Sequence, residues 1–259
     1  MNLGITGKNA LLCGSSRGLG KACALALAHE GVNVTINGLD GDRLEAAAQE
    51  IRDATSVTVT AVQADQTTES GRAKLLSACP NPDILVNNNS GPPPRDFREC
   101  SYDDYIHAIE MNMLAATMMI KGVIGHMEEQ KFGRIVNITS AMVKHPFQYM
   151  GLSTAARCGL TALCKALSLQ VAKNNVTINN LLPERIDTDR QIFMAEDRAK
   201  AEGITYEQAR ADQVNSIAAK RLGLPEEFGA TCAFVCSSQA SFMSGQNISL
   251  DGGSNPGIL

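Results

Sequence analysis

The residues of this chain best suited to chemistry fall into two groups. The first is a set of glycines, Gly14, Gly18 and Gly20, in the run CGSSRGLGKACALALA. They follow a short apolar run and open a segment whose apolar residues recur at helical spacing. Without Cβ atoms the backbone can turn tightly there and let a phosphate approach the unpaired N–H groups of a helix N-terminus. The second group is Ser140, Tyr149, Ser153 and Arg157, with Lys144 and His145 between them. Hydroxyl, phenol and cation in one short stretch suit general acid–base work on an oxygen. A phenol with an ordinary pKa of about 10 needs a nearby cation to move its proton around neutrality.

Both groups need a scaffold, and the rest of the chain supplies the pattern for one. β-type runs at 9–13, 32–37, 57–63, 83–87, 133–138, 176–182 and 246–250 alternate with segments of helical periodicity at 18–30, 40–53, 102–130, 151–173 and 225–237. Strands separated by helix-length segments predict repeated βαβ units: an α/β fold with a three-layer, doubly wound parallel sheet of about seven strands and helices on both faces. In such a sheet ligands bind beyond the carboxyl ends of the strands, which is where Ser140 follows the fifth run. Residues 184–223 break the rhythm with about forty residues rich in charge and Ala, read as two short helices. Following the sixth run directly, they form the expected substrate lid of a single domain spanning 1–259.

Composition narrows the function classes. With 259 residues, 44% hydrophobic and 19% charged, the chain has globular composition and enough apolar material for a sizeable core. Its net charge of -4 comes with no basic stripe, so a nucleic-acid partner is not expected. The least polar stretch, 111–120, is far shorter than a membrane span, which reads as a cytoplasmic chain without a membrane partner. Eight cysteines without a CxxC pair read as reduced core residues, although Cys232 and Cys236 stand one helical turn apart. Four histidines lack metal-ligand spacing, so no metal is expected.

The GxxxGxG spacing resembles the cofactor turn of the short-chain dehydrogenase/reductase family. The resemblance continues in order along nearly the whole chain: Asp65 after the third strand, the NNNSG run 87–91 after the fourth, Asn112 in the next helix, Ser140, Pro183 after the sixth strand, and LDGG at 250–253. It implies a Rossmann-type fold and an oxidoreductase that interconverts a carbonyl and a secondary alcohol with a nicotinamide cofactor. By position, Gly14, Ser16, Arg17, Gly18, Leu19 and Gly20 would form the cofactor turn. Asp65 and Gln66 would contact adenine, Asn87, Ser90 and Gly91 would shape the cofactor wall, and Pro183 and Thr188 would lie at the nicotinamide end. Gly91 also suits a turn with positive φ. Family members are usually homotetramers built through the helices at 102–130 and 151–173.

Choice of cofactor rests on the end of the second strand. Gly38 stands where NAD-binding members carry an acid that pairs with a free ribose 2′-OH. Arg17 offers a planar guanidinium to a 2′-phosphate, whereas Leu39 replaces a second arginine found in many NADP-binding relatives and Asp40 lies close by. NADP(H) is therefore favoured over NAD(H).

The catalytic pattern departs from the family. Ser140 keeps the serine position, but Ser153 stands at the tyrosine position and Arg157 at the lysine position, so the YxxxK motif is absent. Three readings follow. Tyr149, one turn earlier, is the acid, with Arg157 or Lys144 as its cation. Alternatively the proton comes from Lys144, His145 or an ordered water, while Ser140 and Ser153 hydrogen-bond the substrate oxygen. In the third, the chain binds a nucleotide without turnover and acts as a sensor or scaffold. Arg157 has a purely structural alternative, pairing with an acid such as Glu184. A branch of the family shares the Ser-x-x-x-Arg pattern and a proline run like GPPPRDF at 91–97; its members often carry a 3-oxoacyl reductase label. Phe147, Met150, Phe193 and Met194 suggest an apolar substrate pocket.

Overall fold

The computed structural model describes residues 2–257. All seven expected strands form: β1 (Asn9–Leu12), β2 (Asn33–Gly38), β3 (Val59–Gln63), β4 (Ile84–Asn87), β5 (Gly133–Ile138), β6 (Val176–Pro183) and β7 (Asn247–Leu250). They pair in parallel in the order β3-β2-β1-β4-β5-β6-β7. The order reverses between β1 and β4, which opens a crevice at the carboxyl edge where a ligand fits.

Strand alternation builds two cores. Ala10 and Leu12 of β1, Ile84 and Val86 of β4, and Val136 and Ile138 of β5 face one side; Leu11, Leu85 and Ile135 face the other. Helices α1 (Gly18–His29) and α2 (Gly41–Ala54) cover the first side together with the last helix, which spans Pro225–Val235. Cys23, Cys232 and Cys236 lie in that layer, buried and free. The second side is covered by α3 (Glu69–Ala78), α5 (Ala115–Glu129) and α6 (Gly151–Val171). Helix α3 is absent from the sequence reading because ESGRAKLLSA has too few apolar residues to show a period. Its start is marked instead by Thr68, whose hydroxyl accepts from Gly71 N.

The expected helix at 102–130 forms as α4 (Tyr102–Ile109) running into α5 through a π turn at Glu110–Leu114. The whole, Tyr102–Glu129, is long and apolar enough to cross a membrane by length and composition, yet Ala115, Ala116, Met119, Ile120, Val123 and Met127 belong to the protein core. Between β6 and β7 the expected pair of helices is present, α7 (Asp189–Glu202) and α8 (Tyr206–Asn215), before the Pro225–Val235 helix, α9.

Candidate active site

The chain leaves β1 through Gly14, which takes φ +53, and enters α1 at Gly18 with φ +55. Two asparagine side chains, Asn37 buried and Asn88 half-buried, hold this turn. Asn37 Oδ1 accepts from Gly14 N at 3.2 Å, while Asn37 Nδ2 donates to Val62 O and Ala64 O, so the turn is tied to β2 and β3. Asn88 Nδ2 donates to Gly14 O at 2.7 Å, tying it to β4. A Cβ on Gly14 would meet Asn88 O at 2.7 Å. Gly20 does not face the cavity; a Cβ there would overlap the Gly14 carbonyl, so this glycine permits helix-to-turn packing. At Gly14 and Gly20 this close packing against backbone admits only glycine.

A cavity of about 910 Å³ runs from this turn to the ends of β5 and β6. At one end of it lie Asp65, whose carboxylate accepts from the Thr67 N–H and hydroxyl, and Gln66, which donates to Asn88 O. Ser16, Arg17, Gly38, Leu39, Asp40 and Arg43 form the neighbouring wall. A Cβ on Gly38 would stand 2.8 Å from Ser16 Oγ, so any side chain at this position requires Ser16 to shift. Asp40 caps α2 by accepting from Arg43 N and lies 3.8 Å from the Arg43 guanidinium. Arg43, unnoticed in the sequence, thus brings a second guanidinium to the wall that Leu39 seemed to deny it.

The expectation that Asn87 shapes the cofactor wall is corrected. Asn87 is buried beneath the cavity, where its Nδ2 donates to Asn137 Oδ1 at 2.9 Å. Asn137 donates in turn to Asn180, and Asn180 to Asn247, giving one asparagine per strand across β4 to β7. Asn88, Asn89, Ser90 and Gly91 make the wall instead. Gly91 has no positive φ; a Cβ there would sit 3.5 Å from Arg157 Nη2 and Ser153 Oγ. Asn112 lies in the π turn, buried behind the wall, donating to Ser90 O at 3.3 Å with its Oδ1 lacking a partner.

At the other end, Ser140 follows β5, lines the cavity, and accepts from Met142 N. Ser153 and Arg157 come from α6. Arg157 is 7% exposed, and its Nε donates to Ser153 Oγ at 3.2 Å, its Nη1 to Ile138 O at 2.9 Å and its Nη2 to Asn89 O at 3.2 Å. Burial, and secondarily the positive charge of Arg190, pushes its pKa down to about 10, which leaves it charged at neutral pH. Glu184 is not its partner. That carboxylate lies 3.2 Å from the Arg185 guanidinium, and burial raises its pKa against the pull of Arg185.

Tyr149 also lines the cavity, but it is 51% exposed and its phenol makes no hydrogen bond among the described residues. Lys144 and His145 are exposed and stand outside the cavity lining. The four apolar residues Phe147, Met150, Phe193 and Met194 do line it, together with Pro183 and Thr188. Of residues 184–223, expected to form a lid, only those up to Met194 line the cavity; α8 does not.

Comparison with known proteins agrees with this geometry. A family model described as enoyl-(acyl carrier protein) reductase matches residues 14–255. The chain is 33% identical over 256 residues to the NADPH-dependent reductase BacG of Bacillus subtilis, covering 97% of this chain and 99% of that one. This chain is a short-chain dehydrogenase/reductase. As such it is an oxidoreductase, and the non-catalytic reading draws no support from its named relatives. It is also 31% identical over 258 residues to the 3-oxoacyl-[acyl-carrier-protein] reductase FabG of Aquifex aeolicus, covering 98% and 99% of the two chains. Among solved structures, L-sorbose reductase from Gluconobacter frateurii, complexed with NADPH and L-sorbose, superposes with a TM-score of 0.95 at 27% identity over all of both chains. YwfH, an NADPH-dependent reductase involved in bacilysin biosynthesis, gives 0.91 at 32% identity over 97% and 99%.

Proposed function

We propose that this short-chain dehydrogenase/reductase is an NADP(H)-dependent enzyme that interconverts a carbonyl and a secondary alcohol, with Ser140 polarising the reacting oxygen. The observation that carries the reading is the single cavity joining the glycine cradle to Ser140. The relatives named for NADPH support the cofactor. So does the wall beside Gly38, where Arg17 and Arg43 supply guanidinium groups for a 2′-phosphate and Gly38 itself carries no acid. The glycine turn would hold the pyrophosphate, and Asp65 and Gln66 the adenine.

The cofactor, when bound, supplies the hydride. Ser140 would donate its hydroxyl to the carbonyl oxygen, where negative charge develops as the carbonyl is reduced. Ser153 and Arg157 take the places of the family's tyrosine and lysine. Arg157 has committed its fork to two backbone carbonyls and Ser153, so it holds the carboxyl edge of β4 and β5 in register instead of lowering a phenol pKa. Tyr149 then serves as cavity wall, and the proton reaches the oxygen from water in the open cavity. The 3-oxoacyl relatives place 3-oxo thioesters among the substrates to test.

Exposed Tyr102, Ile106, Leu114 and Met118 along the α4–α5 helix favour a homotetramer, checked by light scattering on the purified protein. The functional reading is tested by NADPH oxidation with ketones, aldehydes and 3-oxo thioesters. Turnover of one class, reduced roughly tenfold or more by Ser140→Ala with NADPH affinity kept, supports it. Equal rates for Ser140→Ala and the parent would overturn the role of Ser140, and no turnover of any class would overturn the activity.

A further inference from the structure

The charged groups lining the cavity do not balance at its substrate end. Five arginines line it, Arg17, Arg43, Arg157, Arg185 and Arg190, with four acids, Asp40, Asp65, Glu184 and Asp189. Three arginines have an acid beside them: Arg17 lies 3.6 Å from Asp189, Arg43 3.8 Å from Asp40, and Arg185 3.2 Å from Glu184. Asp65 is taken by the Thr67 N–H and hydroxyl at the adenine end. Arg157 and Arg190 are left, with no carboxylate at ion-pair distance among the described residues. We propose that the carbonyl substrate is an oxo acid, and that Arg190 binds its carboxylate.

Arg190 is the second residue of α7, and its side chain turns across the cleft instead of following Asp189. Asp189 faces Arg17 at the glycine turn, whereas the Arg190 guanidinium lies over the Phe193 ring, 5.7 Å from its centre, with Nη2 3.4 Å from Pro92 O beyond β4. Adjacent helical residues project about 100° apart, which separates these two directions. The long contact to Pro92 occupies one N–H and leaves most of a planar fork, suited to bidentate carboxylate binding, open to a ligand. Arg190 also remains solvent-accessible, so an incoming anion can reach it.

Arg157 lies buried in the same wall; burial is the main cause of its lowered pKa, and the charge of Arg190 adds to it. Two cations facing one cavity, with only the more distant Asp197 acting on Arg190 and no carboxylate at ion-pair distance, repel each other, and an anionic substrate relieves that repulsion. Phe193 and Met194 beside Arg190, with Phe147 and Met150 from the other wall, would pack the carbon chain between the carboxylate and the carbonyl at Ser140.

This inference rests on the reductase reading above, and the test separates the two. NADPH oxidation is measured with pyruvate, acetoacetate and levulinate, each against its methyl ester, for the parent, Arg190→Met and Arg190→Lys. We expect the parent to favour acid over ester by about tenfold or more in kcat/KM. The ratio should fall to about one in Arg190→Met and recover partly in Arg190→Lys, with the loss falling on the acid and not on NADPH affinity. An ester turned over as well as its acid by the parent would overturn the proposal. So would an Arg190→Met variant whose NADPH affinity falls as much as its use of the acid, which would assign Arg190 to a cofactor phosphate. Should no carbonyl turn over, calorimetry of the same acids on the protein saturated with NADP⁺ decides. Acid binding abolished by Arg190→Met keeps the carboxylate site while the reductase reading falls; NADP⁺ binding without acid binding overturns the carboxylate site.

Discussion

Two buried arginines sit at opposite edges of the same sheet, Arg134 near the start of β5 and Arg157 against its end. Neither has a carboxylate partner. Arg134 makes four hydrogen bonds, to Gly133 O, Asn175 O, Asn175 Oδ1 and Ser237 O, and lies 4.4 Å from the Phe132 ring. Arg157 makes three, to Ser153 Oγ, Ile138 O and Asn89 O. Both pin neighbouring segments by donating to backbone carbonyls at the ends of the strands. The difference lies in what remains. Arg134 is spent away from the cavity, while Arg157 performs the same stitch at the carboxyl edge, where it also lines the cavity.

The comparison can be broken in order of expected effect. Arg134→Ala and Arg157→Ala should each cost about 1–3 kcal/mol in thermal or urea unfolding, because buried carbonyls lose their donors. The folded fraction of Arg134→Ala should still bind NADPH, and that of Arg157→Ala should not. Equal NADPH binding by both would make Arg157 a pin alone. Next in size, Arg17→Ala and Arg43→Ala should each lower the preference for NADPH over NADH by about tenfold in fluorescence titration, a loss of ~1.4 kcal/mol. An unchanged preference would remove them from the 2′-phosphate wall.

Tyr149→Phe should change kcat by less than about threefold, since its phenol is half exposed and makes no hydrogen bond among the described residues. A loss of a hundredfold or so would restore the phenol as the acid. The smallest effect is at Glu184. Its pKa is raised in the fold by burial, with Arg185 opposing, so ionising it costs stability as pH rises above the ordinary carboxyl range. Glu184→Gln should therefore raise Tm at about pH 8 and leave it unchanged at about pH 3, where both side chains are neutral. A lower Tm at the higher pH would mean that the Arg185 pair outweighs burial.

Much of the scaffold was legible because each strand carries its own apolar run and each major helix its own period. Helix α3 escaped because its apolar face is small and its start depends on the Thr68 cap. The glycine turn was legible from spacing, while its supports, Asn37 and Asn88, were not, because an asparagine in a strand or loop gives no sign of which carbonyl it will reach. The same holds for the chain from Asn87 to Asn247, visible only once strand register places four distant residues side by side. Ser140 was readable from its place after a strand. The partners of Arg157, Glu184 and Arg190 were not, since side chains of this length choose among acids and carbonyls brought together by the fold.

The most direct test of the enzyme's cofactor chemistry is fluorescence titration of the purified protein with NADPH and then NADH. We expect saturable binding of NADPH with a Kd at least about tenfold below that of NADH. No saturable binding of either, or tighter binding of NADH, would contradict the role given to the glycine cradle and the arginine wall beside Gly38.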